Sequence, residues 1–156
     1  MKVLFLDIDG VLNNSQFNPA AESSTLDPAA VARLNQVVRS TGAKLVLSSS
    51  WRYLILEGAM TLQGFEYLLR SHGLDKGCLL DHTGADQAAD VFAGRAAQIQ
   101  RWLAQHPEVA DWAAIDDAAL ALGPLGWRQV KTDGTVGISD ADAAQLVAIL
   151  TRPSSG

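Results

Sequence analysis

The chain has 156 residues, 48% of them hydrophobic and 19% charged, proportions of an ordinary globular domain that exclude a disordered or collagen-like chain. A single cysteine, Cys78, excludes an internal disulfide framework, and the apolar runs fall far short of the roughly 20 residues a membrane span needs. The net charge of −5 argues against non-specific coating of nucleic acid, though not against a local basic site for one phosphate.

Lys2 to Leu6 is a short apolar run and reads as a strand buried on both faces. Residues 13–26 are polar and read as a loop. Asp27-Pro28 then supplies an N-cap and a first-turn proline. Val31, Leu34, Val37 and Val38 follow at helical spacing, and Gly42 stands where a helix ends. Lys44 to Leu47 is a second strand, followed by a less regular stretch over 51–60. Leu62, Phe65, Leu68 and Leu69 share one face of a helix closed by His72-Gly73. Cys78 to Leu80 predicts a third strand and 81–92 a polar loop. Ile99, Trp102 and Leu103 mark a helix stopped by His106-Pro107. Trp112 to Ile115 is a fourth strand and Trp127 to Val130 a fifth. Ser139 caps a last helix carrying Leu146, Val147, Ile149 and Leu150.

Strands alternating with helices predict an α/β fold with an open parallel sheet of five strands. The expectation is one domain over 1–152, with 153–156 as a mobile tail. An acid at Asp7 comes too early for a secretory signal, so the expected location is the cytoplasm.

Ligands of such sheets sit at the carboxyl ends of the strands. There the chain places Asp7-Ile8-Asp9-Gly10, Ser48-Ser49-Ser50-Trp51-Arg52 and Asp116-Asp117. Four carboxylates at one edge stay ionised together if a divalent cation sits among them, and an all-oxygen set suits Mg²⁺. Ser48 can donate to an anion. Arg52 reads as a substrate contact or, equally, as half of a surface salt bridge. Trp51 reads as core or as a platform for a base; Trp102, Trp112 and Trp127 read as core.

These motifs resemble the haloacid dehalogenase (HAD) superfamily. Its first motif, DxDG after the opening strand, is matched by Asp7-Ile8-Asp9-Gly10. Its second, an apolar strand ending in Ser or Thr, is matched by Leu45-Val46-Leu47-Ser48, and its fourth by Ala114-Ile115-Asp116-Asp117. The third, usually Lys, finds no Lys between Lys76 and Asp116; Arg95 is the best match, with Arg70 and Arg101 weaker ones. More narrowly, LDIDGVLN, LVLSSSWR, the stretch Arg95 to Leu103, and Thr132-Asp133 with Gly137-Ile138 resemble the small HAD domains of Swiss Army Knife RNA repair proteins.

The resemblance implies a Rossmannoid three-layer sandwich with little or no cap domain. It implies a phosphatase in which Asp7 attacks phosphorus and Asp9 is the general acid and base. It further implies Mg²⁺ held by Asp7, the Asp9 carbonyl, Asp116 and Asp117 (the last directly or through water), with Ser48 and Arg95 on the phosphoryl oxygens. An arginine fork in place of a lysine point charge is the clearest departure. Loop 13–26 is too short for a cap and reads as a flap over an open site. The resemblance favours a nucleotide or a nucleic-acid end as the phosphorylated substrate, over a small metabolite or a phosphoprotein. Two alternatives stand beside it: a non-catalytic phosphate-binding or interaction module, and a receiver-type signalling domain phosphorylated at Asp81.

Overall fold

The structure, a computed structural model, describes residues 1–14, 25–85 and 94–152. The expected flap lies largely, the loop after the third strand mostly, and the tail wholly outside them.

Five strands form the sheet: β1 (Lys2–Leu6), β2 (Lys44–Leu47), β3 (Leu79–His82), β4 (Asp111–Asp116) and β5 (Gln129–Lys131). The helices are α1 (Pro28–Thr41), α2 (Arg52–Leu56), α3 (Leu62–Ser71), α4 (Gly94–Ala104) and α5 (Asp140–Leu150). The strand order is β3-β2-β1-β4-β5, and every pairing is parallel. The chain runs outward from β1 through β2 to β3, then crosses to the other side of β1. The direction of winding therefore reverses between β1 and β4, and their carboxyl ends form the crevice where such folds bind ligands.

Alternation along the strands builds two cores. Leu4, Leu6, Leu45, Leu47 and Ile115 pack with α1, α3 and α5. Val3, Phe5, Val46, Trp112 and Ala114 face the other way, against Ile99 and Trp102 of α4. Phe5 sits edge-on to both Trp102 and Trp112, with ring centroids 5.5 and 5.8 Å away. β1 is covered on both faces, which is why it reads as an unbroken apolar run.

The helix signals operate as read. Asp27 accepts from the Ala29 N–H at the start of α1, and Gly42, at φ 71°, ends it. Ser139 and Asp142 form a reciprocal capping box on α5. Between β2 and β3 the chain forms only α2 and α3, so the described residues build no separate cap.

Three details differ from the sequence reading. The irregular stretch 51–60 contains the short helix α2. β3 starts at Leu79 and runs on through Asp81 and His82. β5 starts at Gln129, because Gly123–Arg128 tightens into a 3-10 helix. Arg128 pins that turn by donating to Asp111 and to the Trp112 carbonyl. Trp127 is consequently 42% exposed and not core. Its ring carries the guanidinium groups of Arg128 and Arg152 over it, at 4.4 and 4.1 Å. Trp102 and Trp112 are buried, as expected.

Candidate active site

The sheet register brings the first and second motifs side by side. Leu6 pairs with Leu47 on one side and with Ile115 on the other. The next residues, Asp7, Ser48 and Asp116, therefore meet where the three strands end. Backbone bonds hold the exits: Asp7 N–H donates to the Ile115 carbonyl at 3.1 Å and Ser48 N–H to the Leu6 carbonyl at 2.8 Å.

Carboxylate oxygens of Asp7, Asp116 and Asp117 lie within 4.8 Å of one another. Asp7 and Asp116 are each 2% exposed. Arg95, at the start of α4, reaches into this cluster. Its Nη1 stands 2.7 Å from Asp116 Oδ2 and 3.3 Å from Asp7 Oδ2. With all three carboxylates ionised, they and one guanidinium would sum to −2, the charge a divalent cation neutralises.

The electrostatics follow from that crowding. Burial, then the neighbouring Asp116, pushes the Asp7 carboxyl up to about 8, against the opposing pull of Arg95. Burial and Asp116 also raise Asp117 above the ordinary carboxylate value. Burial opposes the Arg95 charge, but Asp7 and Asp116 together outweigh it and raise its pKa. Two polar atoms here are buried with no hydrogen-bond partner among the described residues: Asp7 Oδ1 and Ser48 Oγ. An unsatisfied buried oxygen costs about 1–3 kcal/mol. An acceptor and a hydroxyl left open beside an excess of negative charge fit a cation and an anionic oxygen. The donor set thus fits Mg²⁺ with a phosphoryl group.

Gly10 lets this cluster close. It has φ 77°, and a Cβ there would stand 2.3 Å from Asp117 Oδ2 and 2.9 Å from Asp117 Cβ. Only a residue without a side chain admits Asp117 so close to the first motif. Thr132 Oγ1 donates to the Gly10 carbonyl at 2.8 Å, and Thr132 N–H to the Asp116 carbonyl at 3.0 Å. Thr132 therefore ties the first and fourth motifs together. In the sequence it stood out only as part of a family-like phrase.

Asp9 projects elsewhere. Its carboxylate accepts from Asn13 Nδ2 at 2.8 Å and from the Trp51 indole N–H, 3.2 Å from each oxygen. Trp51 also packs edge-on to Phe65, so it belongs to the core and reaches the site at once. Arg52 does not reach out to solvent. It is 3% exposed, and its guanidinium donates to the Ser49 carbonyl at 2.9 Å and the Gly84 carbonyl at 3.0 Å. Among the described residues, the expected substrate contact gives way to a buried clamp between the turn after β2 and the segment after β3. Arg70 lies exposed on α3; of the three basic candidates, Arg95 is the one ion-paired with the carboxylate cluster.

No helix of the described residues is long and apolar enough to cross a membrane. No curated protein and no solved structure matches the chain. The model of the family described as the HAD domain in Swiss Army Knife RNA repair proteins matches residues 3–143, a span that takes in every residue of this site, and the chain belongs to that family.

Proposed function

We propose that the chain is a Mg²⁺-dependent phosphomonoester hydrolase working through an aspartyl phosphate on Asp7. Membership in the HAD family supports hydrolase chemistry of the phosphatase type. The observation that carries the reading is the open Asp7 Oδ1 beside the open Ser48 Oγ, in a carboxylate cluster with one arginine.

Asp7, Asp116 and Asp117, with the Asp9 carbonyl, would hold Mg²⁺. When bound, that cation neutralises charge on the phosphoryl oxygens. Asp7 attacks phosphorus through one carboxylate oxygen as the bond to the leaving oxygen breaks. Asp9 gives its proton to that leaving oxygen. Asp9, now a carboxylate, takes a proton from water, whose oxygen attacks the phosphorus of the aspartyl phosphate. Inorganic phosphate leaves and Asp7 is restored. Ser48 Oγ and the Arg95 guanidinium donate to the phosphoryl oxygens, Arg95 turning from the carboxylates it bonds at rest.

The substrate class we favour is a nucleotide or the phosphorylated end of a nucleic acid. The family description speaks of RNA repair, and a site over which the described residues build no cap can admit the end of a polymer. The test is hydrolysis of an aryl phosphate with and without Mg²⁺, beside Asp7→Asn. Mg²⁺-dependent turnover lost in the variant supports the reading. A panel of nucleotides, 3′- and 5′-phosphorylated oligonucleotides, sugar phosphates and phosphopeptides then ranks substrates. No turnover on any of these, with beryllium fluoride failing to bind Asp7, overturns it in favour of a non-catalytic module.

A further inference from the structure

We propose that Trp51 and Asn13 are positioning residues that aim the Asp9 carboxylate for proton transfer. The proposal rests on the hydrolase reading above.

A carboxylate on a free side chain samples several rotamers, and proton transfer demands one of them. Here two donors from separate elements fix it. The Trp51 indole N–H straddles both Asp9 oxygens at 3.2 Å, and Asn13 Nδ2 takes Oδ1 at 2.8 Å. Both donors are themselves held. Asn13 Oδ1 accepts the Gly10 N–H at 2.9 Å, which fixes the amide's orientation. Trp51 N–H donates to Ser49 Oγ at 3.2 Å, and its ring meets the fully buried Phe65 at 5.8 Å, nearly perpendicular. The Trp51 main chain and ring are thus each held by a contact other than the one to Asp9.

The arrangement has a consequence for the site as a whole. Trp51 lies three residues past Ser48, in the turn that Arg52 clamps to the Ser49 carbonyl. One turn thus sets both the hydroxyl that meets the phosphoryl group and the donor that aims the acid. The same two donors turn the Asp9 carboxylate toward Trp51 and Asn13, while Asp7, Asp116 and Asp117 form the separate cluster. Asp9 is left to move protons while the others hold charge.

The experiment compares kcat/KM on an alkyl phosphate and on nitrophenyl phosphate. That ratio reports the steps through departure of the leaving group. The alkyl oxygen needs a proton as it leaves, whereas nitrophenolate leaves without one. Trp51→Phe keeps a ring against Phe65 and removes the donor. The expected result is a loss of about 10-fold or more on the alkyl phosphate, with less than about 3-fold on nitrophenyl phosphate. Asn13→Ala shows the same split, and Asp9→Asn a larger one. In NMR, the indole N–H resonance missing from Trp51→Phe moves in Asp9→Asn, independent of turnover.

Equal losses on both compounds, or no loss, in an active parent overturn the positioning role alone. So does an indole resonance indifferent to Asp9→Asn. A parent inactive on both compounds with Mg²⁺ overturns the hydrolase reading, and this inference with it.

Discussion

Gly10→Ala separates backbone strain from the closeness of the carboxylate cluster, because a second glycine provides the control. Gly10 and Gly42 have nearly the same left-handed conformation, φ 77° and 71°. An alanine at either position bears a strain of about 1–2 kcal/mol. At Gly42 nothing lies within 4 Å of the added Cβ. At Gly10 the new carbon meets Asp117 Oδ2 at 2.3 Å, Cγ at 2.7 Å and Cβ at 2.9 Å. Rotating the Asp117 side chain relieves the first two contacts but leaves its Cβ in place, so the backbone after β4 must shift. Gly42→Ala should therefore lose about 1–2 kcal/mol in urea denaturation and keep its Mg²⁺ dependence. Gly10→Ala should lose at least as much and require about 10- to 100-fold more Mg²⁺ for half-maximal activity, as when the support of a metal ligand is removed. The assay is a Mg²⁺ titration of aryl phosphate hydrolysis on both variants, beside their urea curves. If Gly10→Ala titrates like Gly42→Ala, Asp117 has no part in holding the cation, and the argument from the close approach is wrong.

Other outcomes follow from the same geometry. Arg95→Ala should lower kcat by about 10²- to 10³-fold, the usual loss for one oxyanion donor, and Arg95→Lys should recover part of it; full activity in Arg95→Ala would remove Arg95 from the phosphoryl site. Arg52→Ala strands two backbone carbonyls that accept charged donors, so urea denaturation should show a loss of about 3 kcal/mol. A raised KM without lost stability would instead restore Arg52 as a substrate contact. The Asp7 carboxyl, at about 8 in the fold against an ordinary 3.8, keeps a proton that the unfolded chain has already lost. Its contribution to metal-free stability is fully present below 3.8 and disappears as pH rises toward 8. A cation needs the ionised form, so the gain in Tm on adding Mg²⁺ should be larger at about pH 8.5 than at about pH 6. A gain independent of pH would show that Asp7 is not among the ligands.

Much of this protein was legible in local sequence, because the signals involved act over a few residues. A run such as Lys2–Leu6 has no polar side to offer water, so it is a strand covered on both faces. Asp27-Pro28 and Ser139 start helices through bonds to the next turn. In a parallel sheet every strand ends at the same edge, so Asp7, Ser48 and Asp116 converge once those strands are recognised. Arg95 is singled out only by the family resemblance, as the basic residue at the start of the helix before the fourth strand, and in the structure it is ion-paired with the cluster.

What local sequence left open depends on contacts between distant segments. Whether Arg52 faces substrate or interior turns on the Gly84 carbonyl, 32 residues away. Trp51 meets Asp9 across 42 residues, and no spacing rule relates an indole to a carboxylate at that distance. Trp127 is apolar enough for a core, yet the turn pinned by Arg128 to Asp111 places it outside. The closeness of Asp117 to Gly10 likewise exists only once β4 lies beside β1. Backbone hydrogen bonding and burial act residue by residue and can be read along the chain. The partners of a buried charge or a half-buried ring are set by which surfaces the folded sheet brings together, and those only the tertiary structure decides.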